Sequence, residues 1–345
     1  MTSAARHLLA ALHDLEGRND GLLANLGESG WTEVADLAIR QRVGPLLLSR
    51  PSLPLPESVR ATLRTRAQFS AMRVLKQQAA LRELAGSVAP LGIDLIVLKG
   101  MHLATTVYPS AVLREMGDID VLVREDALPA LTSSAGSLGY ASPSSGFSSH
   151  HLPPVVRDRV VFEFHQHIDS REHGIKAPLN ALFQRSVATG LAANIRFLSA
   201  EDLLVHLCMH AADGHLMESG LRGLVDVQAV LKHFDRALDW PLVAATAKEW
   251  QCERSVGLIF TLCRRHLGVA TPLDVSSAID TEPPSHVVDA ALDQIFGTPS
   301  ATSEATATLA RTPGIIGKIR VVLDRLRRPI PESRIRRAVG LIQRH

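Results

Sequence analysis

Three acidic side chains have the type and spacing to do chemistry together. Asp118 and Asp120 stand two apart in Gly117-Asp118-Ile119-Asp120-Val121-Leu122-Val123, a run of Ile, Val and Leu that reads as a buried strand. Side chains alternate faces along a strand, so both carboxylates fall on one face. Like charges so placed repel, and burying them unpaired is costly; the pair must meet water, cations or a metal. Farther along, Val160 to His167 alternates again, which puts Val161, Glu163, His165 and His167 on one face and Phe162 and Phe164 on the other. Glu163 is therefore a third acid available to the pair.

Upstream lies a candidate anion site. Ile93 to Leu98 is a short apolar run ending in Lys99-Gly100, and Met101 to Tyr108 can follow as a helix. The first backbone N–H groups of such a helix have no partner within it and point at whatever lies above the strand. Lys99 stands beside them, and Arg114 in the next loop offers a second cation. Each feature also has a plainer reading. Asp-x-Asp is common in turns, Glu163 suits a surface strand paired with Arg157 or Arg159, and Arg114 suits a simple counter-ion. What favours a site is the ordered combination of turn, acid pair and later third acid.

Lys99-Gly100, Tyr108-Pro109, Arg114 with Gly117-Asp118-Ile119-Asp120, Gly139-Tyr140 and Glu163-Phe164-His165 resemble the uncharacterised nucleotidyltransferase family within the DNA polymerase β-like superfamily. The similarity continues into Leu204 to Asp226, where His206, His210 and Asp226 match the helical half of that family. One departure is that Lys99-Gly100 stands where the superfamily has a Gly-Ser or Gly-Gly turn, which implies a different phosphate grip. The resemblance implies an α+β fold, with a small mixed-sheet core and large helical flanks. It also implies transfer of a nucleoside monophosphate from an NTP, ATP being the first choice, to a hydroxyl or phosphate of a small-molecule, peptide or protein acceptor, releasing pyrophosphate. Relatives resemble accessory enzymes of bacterial biosynthetic clusters.

The chemistry accounts for the residue types. Attack on an α-phosphorus builds charge on the entering and leaving oxygens, best held by two divalent ions roughly 3.5–4 Å apart. Mg²⁺, or Mn²⁺ in its place, takes oxygen ligands and keeps several waters. By resemblance, Asp118, Asp120 and Glu163 hold the metals, with Glu163 on the acceptor side and able to help deprotonate the attacking hydroxyl. Lys99, Gly100 and Arg114 are the expected nucleotide contacts, and His165, His206, His210 and Asp226 the candidate substrate contacts. His215 and Arg222 belong to the same neighbourhood. A rival from another class keeps the fold as a nucleotide-binding or scaffold protein without turnover.

His206 and His210 share a helix face, which raises a second rival, a zinc hydrolase. The spacing lacks the glutamate of His-Glu-x-x-His, since Leu207, Cys208 and Met209 intervene, so packed rings, each hydrogen-bonded, are the favoured reading. The pair His150-His151 reads as a loop or strand-edge feature.

The elements that must position these groups can be read around them. Residues 1–85 are helical: Leu8, Leu9, Leu12 and Leu15 form one stripe, Trp31, Val34, Leu37 and Ala38 another, and a further helix runs from Pro56-Glu57 through Ser87 after the break at Pro51, Pro54 and Pro56. Pro90-Leu91-Gly92 ends it and delivers the chain to a core over 86–170. In that core Glu125 to Leu138 is a helix stopped by Gly139, Ser142 to Ser149 a loop, and His150 to Val156 a short strand. Residues 171–296 form a second helical region, where Ser199-Ala200-Glu201-Asp202 resembles a capping box opening a helix to about Ala212. Residues 297–345 are a flexible Ser/Thr/Ala/Pro segment followed by a basic amphipathic helix, suited to an acidic partner or a membrane surface, though a solvated terminal helix is the plainer reading.

Composition narrows the classes. The 345 residues predict about two to three domains. Lys and Arg number 37 against 35 Asp and Glu, for a net charge of +2, which argues against a general nucleic-acid binder. Cys208, Cys252 and Cys263 have no metal-type spacing, and their odd number suits a reducing compartment. No apolar leader or span-length segment is read, so the expected location is cytoplasmic.

Overall fold

The acid-bearing strands sit in the middle of one six-stranded mixed sheet. The protein is described from a computed structural model covering residues 1–13, 20–142, 153–168, 177–214, 217, 220–271, 279 and 282–297. The strands are β1 (Leu95–Val97), β2 (Ile119–Leu122), β3 (Val155–Arg157), β4 (Val160–His165), β5 (Val187–Ala188) and β6 (Ile195–Phe197), in the order β3-β4-β2-β1-β6-β5. β1 runs antiparallel to β2 and parallel to β6, while β2 runs parallel to β4. β5 and β6 are strands drawn from beyond residue 170, in a region whose sequence reads as helical throughout. They are two and three residues long, too short for an alternating pattern to declare them.

Alternation along the central strands divides the sheet into two faces. Leu95, Val97, Ile119, Val121, Phe162 and Phe164 join one apolar cluster with Leu81, Leu84 and Val88 of α5 (Glu57–Val88) and Leu131 and Ala135 of α7 (Leu128–Ser137). Ile96 and Leu122 point the other way, into the larger cluster built from the remaining helices. Asp120, Glu163 and His165 have the parity of Leu122, so they face the helical side. That is the step that turns a strand pattern into a cleft: one sheet face is sealed by α5 and α7, and the acids look across at the second helical layer.

That second layer comes from both ends of the chain. Its early part is α1 (Ser3–Leu12), α2 (Asp20–Ala24), α3 (Glu28–Arg40) and α4 (Gly44–Leu48). Its later part is α9 (Ala200–Met209), α10 (Leu221–Phe234), α11 (Trp240–Glu249), α12 (Glu253–Leu262) and α13 (Ser285–Phe296). The shorter α6 (Lys99–Thr106) and α8 (Leu179–Arg185) connect strands. α5 begins one residue after Pro56, as the fixed proline φ favours, and runs 32 residues to Val88, past which Gly92 takes a left-handed φ of 68°. Ser199 caps α9 by accepting the Asp202 N–H at 3.2 Å. Asp202 does not reach back to complete a capping box; its carboxylate takes two hydrogen bonds from Arg185, at 2.8 and 2.9 Å. α9 passes into a π-helical turn at His210–Gly214. Among the described residues no helix is long and apolar enough to cross a membrane. The Ser142–Ser149 loop beyond Ser142, the His150-His151 pair, His215 and the basic segment after residue 297 lie outside the described residues.

Candidate active site

Register sets the site. β2 and β4 pair so that Asp120 lies directly opposite Glu163, and Leu122 opposite His165. Two carboxylates in one cross-strand pair destabilise a sheet unless cations answer them. Here they are answered at one atom: Lys99 Nζ and His165 Nε2 each donate to Asp120 Oδ1 at 2.8 Å. Asp120 Oδ2 takes no hydrogen bond from a described residue. Burial alone would raise the Asp120 pKa, but the charge of Lys99 and the His165 contacts outweigh it and hold the carboxyl well below its ordinary range. For Glu163 the balance is reversed: burial, then the charges of Asp120 and Asp118, push its pKa up.

Asp120, Glu163 and His165 each bring one potential ligand atom within 4.8 Å of the others, and His165 Nε2 is 3.9 Å from Glu163 Oε2. Asp118 precedes β2 by one residue and lines the same cleft, outside that compact trio. Its half-buried carboxylate makes no hydrogen bond or ion pair with a described residue. The plainer pairing of Glu163 with Arg157 does not occur, because Arg157 is paired with Glu83 across β3 and α5.

Lys99 is delivered by strain. It begins α6 with φ +41°, in the left-handed region that a side chain usually avoids. The left-handed turn explains why a glycine would sit easily there, and the Lys99 ion pair with Asp120 gives this chain a reason to use lysine. Gly100 follows where an added Cβ would come within 3.0 Å of Met116 Cγ.

Arg114 lies on the cleft wall, and each of its guanidinium nitrogens makes a hydrogen bond. Nε and Nη2 donate to the two oxygens of Asp226 at 2.6 and 2.7 Å, and Nη1 donates to the Glu115 carbonyl. Tyr108 Oη donates to Asp226 Oδ1 at 2.8 Å, which gives Tyr108-Pro109 its place in the motif. Burial opposes the Arg114 charge and Asp226 outweighs that, so its pKa rises. Arg114 and Asp226 thus form a buried clamp between the loop before β2 and α10, in which Asp226 takes up the Nε–Nη2 edge of the guanidinium. Arg114, expected at the nucleotide, and Asp226, expected at the substrate, are brought together in one ion pair that lines the cleft.

The cleft, of about 140 Å³, is closed on its far side by Leu207, His210, Ala211, Arg222 and Gly223. His210 therefore faces the acids. His206, one turn earlier, is buried, and neither ring nitrogen has a hydrogen-bond partner among the described residues, contrary to the expectation of a satisfied ring. Burial, reinforced by the charge of Lys99, lowers its pKa to about 3. The His206 and His210 rings are 5.9 Å apart at their centroids. Arg222, which the sequence put only in the neighbourhood, proves to be a cleft residue; its signal is its position four residues before Asp226, one helical turn away on the same face.

Neither curated proteins nor solved structures yield a match. A family model described as an uncharacterised nucleotidyltransferase matches residues 27–268, more than half of the chain, and spans the central strands of the sheet, the acid cluster, the Arg114–Asp226 clamp and the far wall of the cleft. The chain belongs to this uncharacterised nucleotidyltransferase family.

Proposed function

We propose that the protein transfers a nucleoside monophosphate from an NTP, ATP in the first instance, to a hydroxyl or phosphate oxygen of an acceptor, with two divalent cations held by Asp118, Asp120 and Glu163. The observation that carries this reading is the facing pair Asp120 and Glu163, with Asp118 in the same cleft and Lys99 at the Asp120 carboxylate. The donor set fits Mg²⁺ or Mn²⁺, because three carboxylates supply hard oxygen ligands. Charge also argues for a cation. The cleft is lined by three cations, Lys99, Arg114 and Arg222, against four carboxylates, Asp118, Asp120, Glu163 and Asp226. That surplus of one negative charge would repel a triphosphate, whereas two divalent ions reverse the sign.

When bound, the divalent ions would hold charge on the attacking and leaving oxygens. The acceptor oxygen forms a bond to the α-phosphorus while the bond from that phosphorus to the bridging oxygen breaks, and its electron pair leaves with pyrophosphate. Glu163, whose pKa is raised, takes the acceptor proton. Lys99 meets the triphosphate from the turn at the start of α6. His165 is a positioning residue that fixes Asp120 through Oδ1, and His210 offers an acceptor contact from the far wall.

Calorimetric titration of ATP with and without Mg²⁺ tests the metal bridge. Wild type should bind ATP tightly only with the metal, and Asp118→Ala with Asp120→Ala should abolish that dependence. ATP affinity unchanged in the double variant with Mg²⁺ present would remove the assignment. Binding without transfer to any acceptor pool would favour the non-catalytic nucleotide binder.

A further inference from the structure

With Arg114 neutralised by Asp226, one cation on the far wall of the cleft has no carboxylate of its own among the described residues. Arg222, in the first turn of α10, makes only a marginal contact, Nη1 to the Glu115 carbonyl at 3.5 Å. A second guanidinium stands close by. Arg42, exposed between α3 and α4, places Nη1 3.7 Å from the point a Cβ on Gly117 would occupy, immediately before Asp118. No hydrogen bond or ion pair joins the Arg42 side chain to a described residue.

The two arginines are indexed to one point by Gln41. Its Oε1 accepts the Leu221 N–H at 2.7 Å, and its Nε2 donates to the Ile295 carbonyl at 2.8 Å. The turn before α4 is thereby fastened to the start of α10, and Arg42 is held there at a left-handed φ of 55°. Holding two like charges beside each other with neither paired to a carboxylate of a described residue is unfavourable, and the arrangement makes sense as a site prepared for an anion.

We propose that Arg222 and Arg42 form a phosphoanion subsite at the Gly117–Asp118 side of the cleft, which holds the β- and γ-phosphates of the donor NTP and the pyrophosphate they become. The assignment rests on the nucleotidyl-transfer reading and adds residues to it. In-line displacement puts the leaving group opposite the attacking oxygen. Glu163 belongs with Asp120, His165 and Lys99; Arg222 belongs with Arg114, Asp226 and Arg42, and Asp118 is common to both sets. If the acceptor enters at Glu163, pyrophosphate leaves toward Arg222. Burial and the charge of Arg114 bring the Arg222 pKa down to about 10, against the opposing charges of Asp226 and Asp118.

The test compares binding of Mg²⁺ with ATP, with pyrophosphate and with AMP to the full chain by calorimetry. Arg222→Gln should weaken ATP and pyrophosphate about 10- to 100-fold, and Arg42→Gln several-fold, with AMP unchanged in both; Arg222→Lys should recover only part, because it keeps the charge and loses the fork. The exposed Arg42 keeps the test independent of folding. Pyrophosphate affinity equal to wild type in both variants overturns the arginine subsite and leaves the transfer reading standing. Equal loss of AMP overturns it too, as a mere structural effect. Inorganic phosphate that binds ATP-saturated protein in an Arg222-dependent way would place an acceptor phosphate there instead and overturn the donor assignment. Wild type that binds neither ATP nor pyrophosphate overturns both readings.

Discussion

Asp226→Asn tests whether the clamp between the sheet loop and α10 organises the cleft. The amide is nearly the shape of the carboxylate, so packing is kept while the charge is lost. The location decides the magnitude. The side chains of Arg114 and Asp226 are 7% and 4% exposed, which puts them in the buried regime and not among surface pairs worth about 0–1 kcal/mol. Arginine cannot shed its proton, so the substitution would leave a buried cation uncompensated close to Arg222. Removing one partner of a buried pair costs about 3–5 kcal/mol. Tyr108→Phe, which deletes one hydrogen bond to the same carboxylate, should cost only about 1 kcal/mol. Urea unfolding of wild type, both single variants and Arg114→Met with Asp226→Leu measures these terms. The double apolar variant should recover much of the loss, since the penalty belongs to the unpaired charge. A cost below about 1 kcal/mol for Asp226→Asn would show that the clamp is dispensable and refute the argument.

Three further outcomes follow from the buried charges. His102 and His206 are buried with pKa values lowered to about 3, so the unfolded chain binds two more protons than the folded one below its ordinary imidazole pKa; stability should fall with acidification from about pH 6.5, by about 1.4 kcal/mol per pH unit for each, and a flat unfolding profile down to pH 5 would contradict this. Glu163→Gln in metal-free buffer should raise stability by about 1 kcal/mol, the water-screened repulsion of two charges at the trio's 4.8 Å limit, while abolishing transfer; a lower melting temperature would mean that the carboxylates do not repel. Protein purified without chelator should carry no stoichiometric zinc at His206 and His210, and zinc found by elemental analysis and lost in His210→Ala would reverse that expectation.

What could be read from sequence was what lies within one strand or one helix. Parity put Asp120, Glu163 and His165 on one face because two apolar strands carry them, and Pro56 fixed the start of α5 because its ring permits little else. The partners of Arg114 were hidden because Asp226 is 112 residues away, and the latch from Gln41 to Leu221 spans 180. No local pattern marks such pairs. The short strands β5 and β6 escaped for a different reason: both residues of β5 are exposed, and the three residues of β6 are too few for their alternation to be read. His206 escaped because spacing shows that a ring faces inward, and not whether a donor waits for it.

The proposed transfer requires that the α-phosphorus be the atom attacked. The direct measurement incubates the protein and Mg²⁺ with a lysate of acceptors and ATP labelled with ³²P at either the α or the γ position, in wild type and in Glu163→Gln. The α label should appear in an acceptor and the γ label in pyrophosphate, and the variant should transfer neither while keeping its ATP affinity. A γ label found in the acceptor, or equal α labelling by wild type and Glu163→Gln, would contradict it.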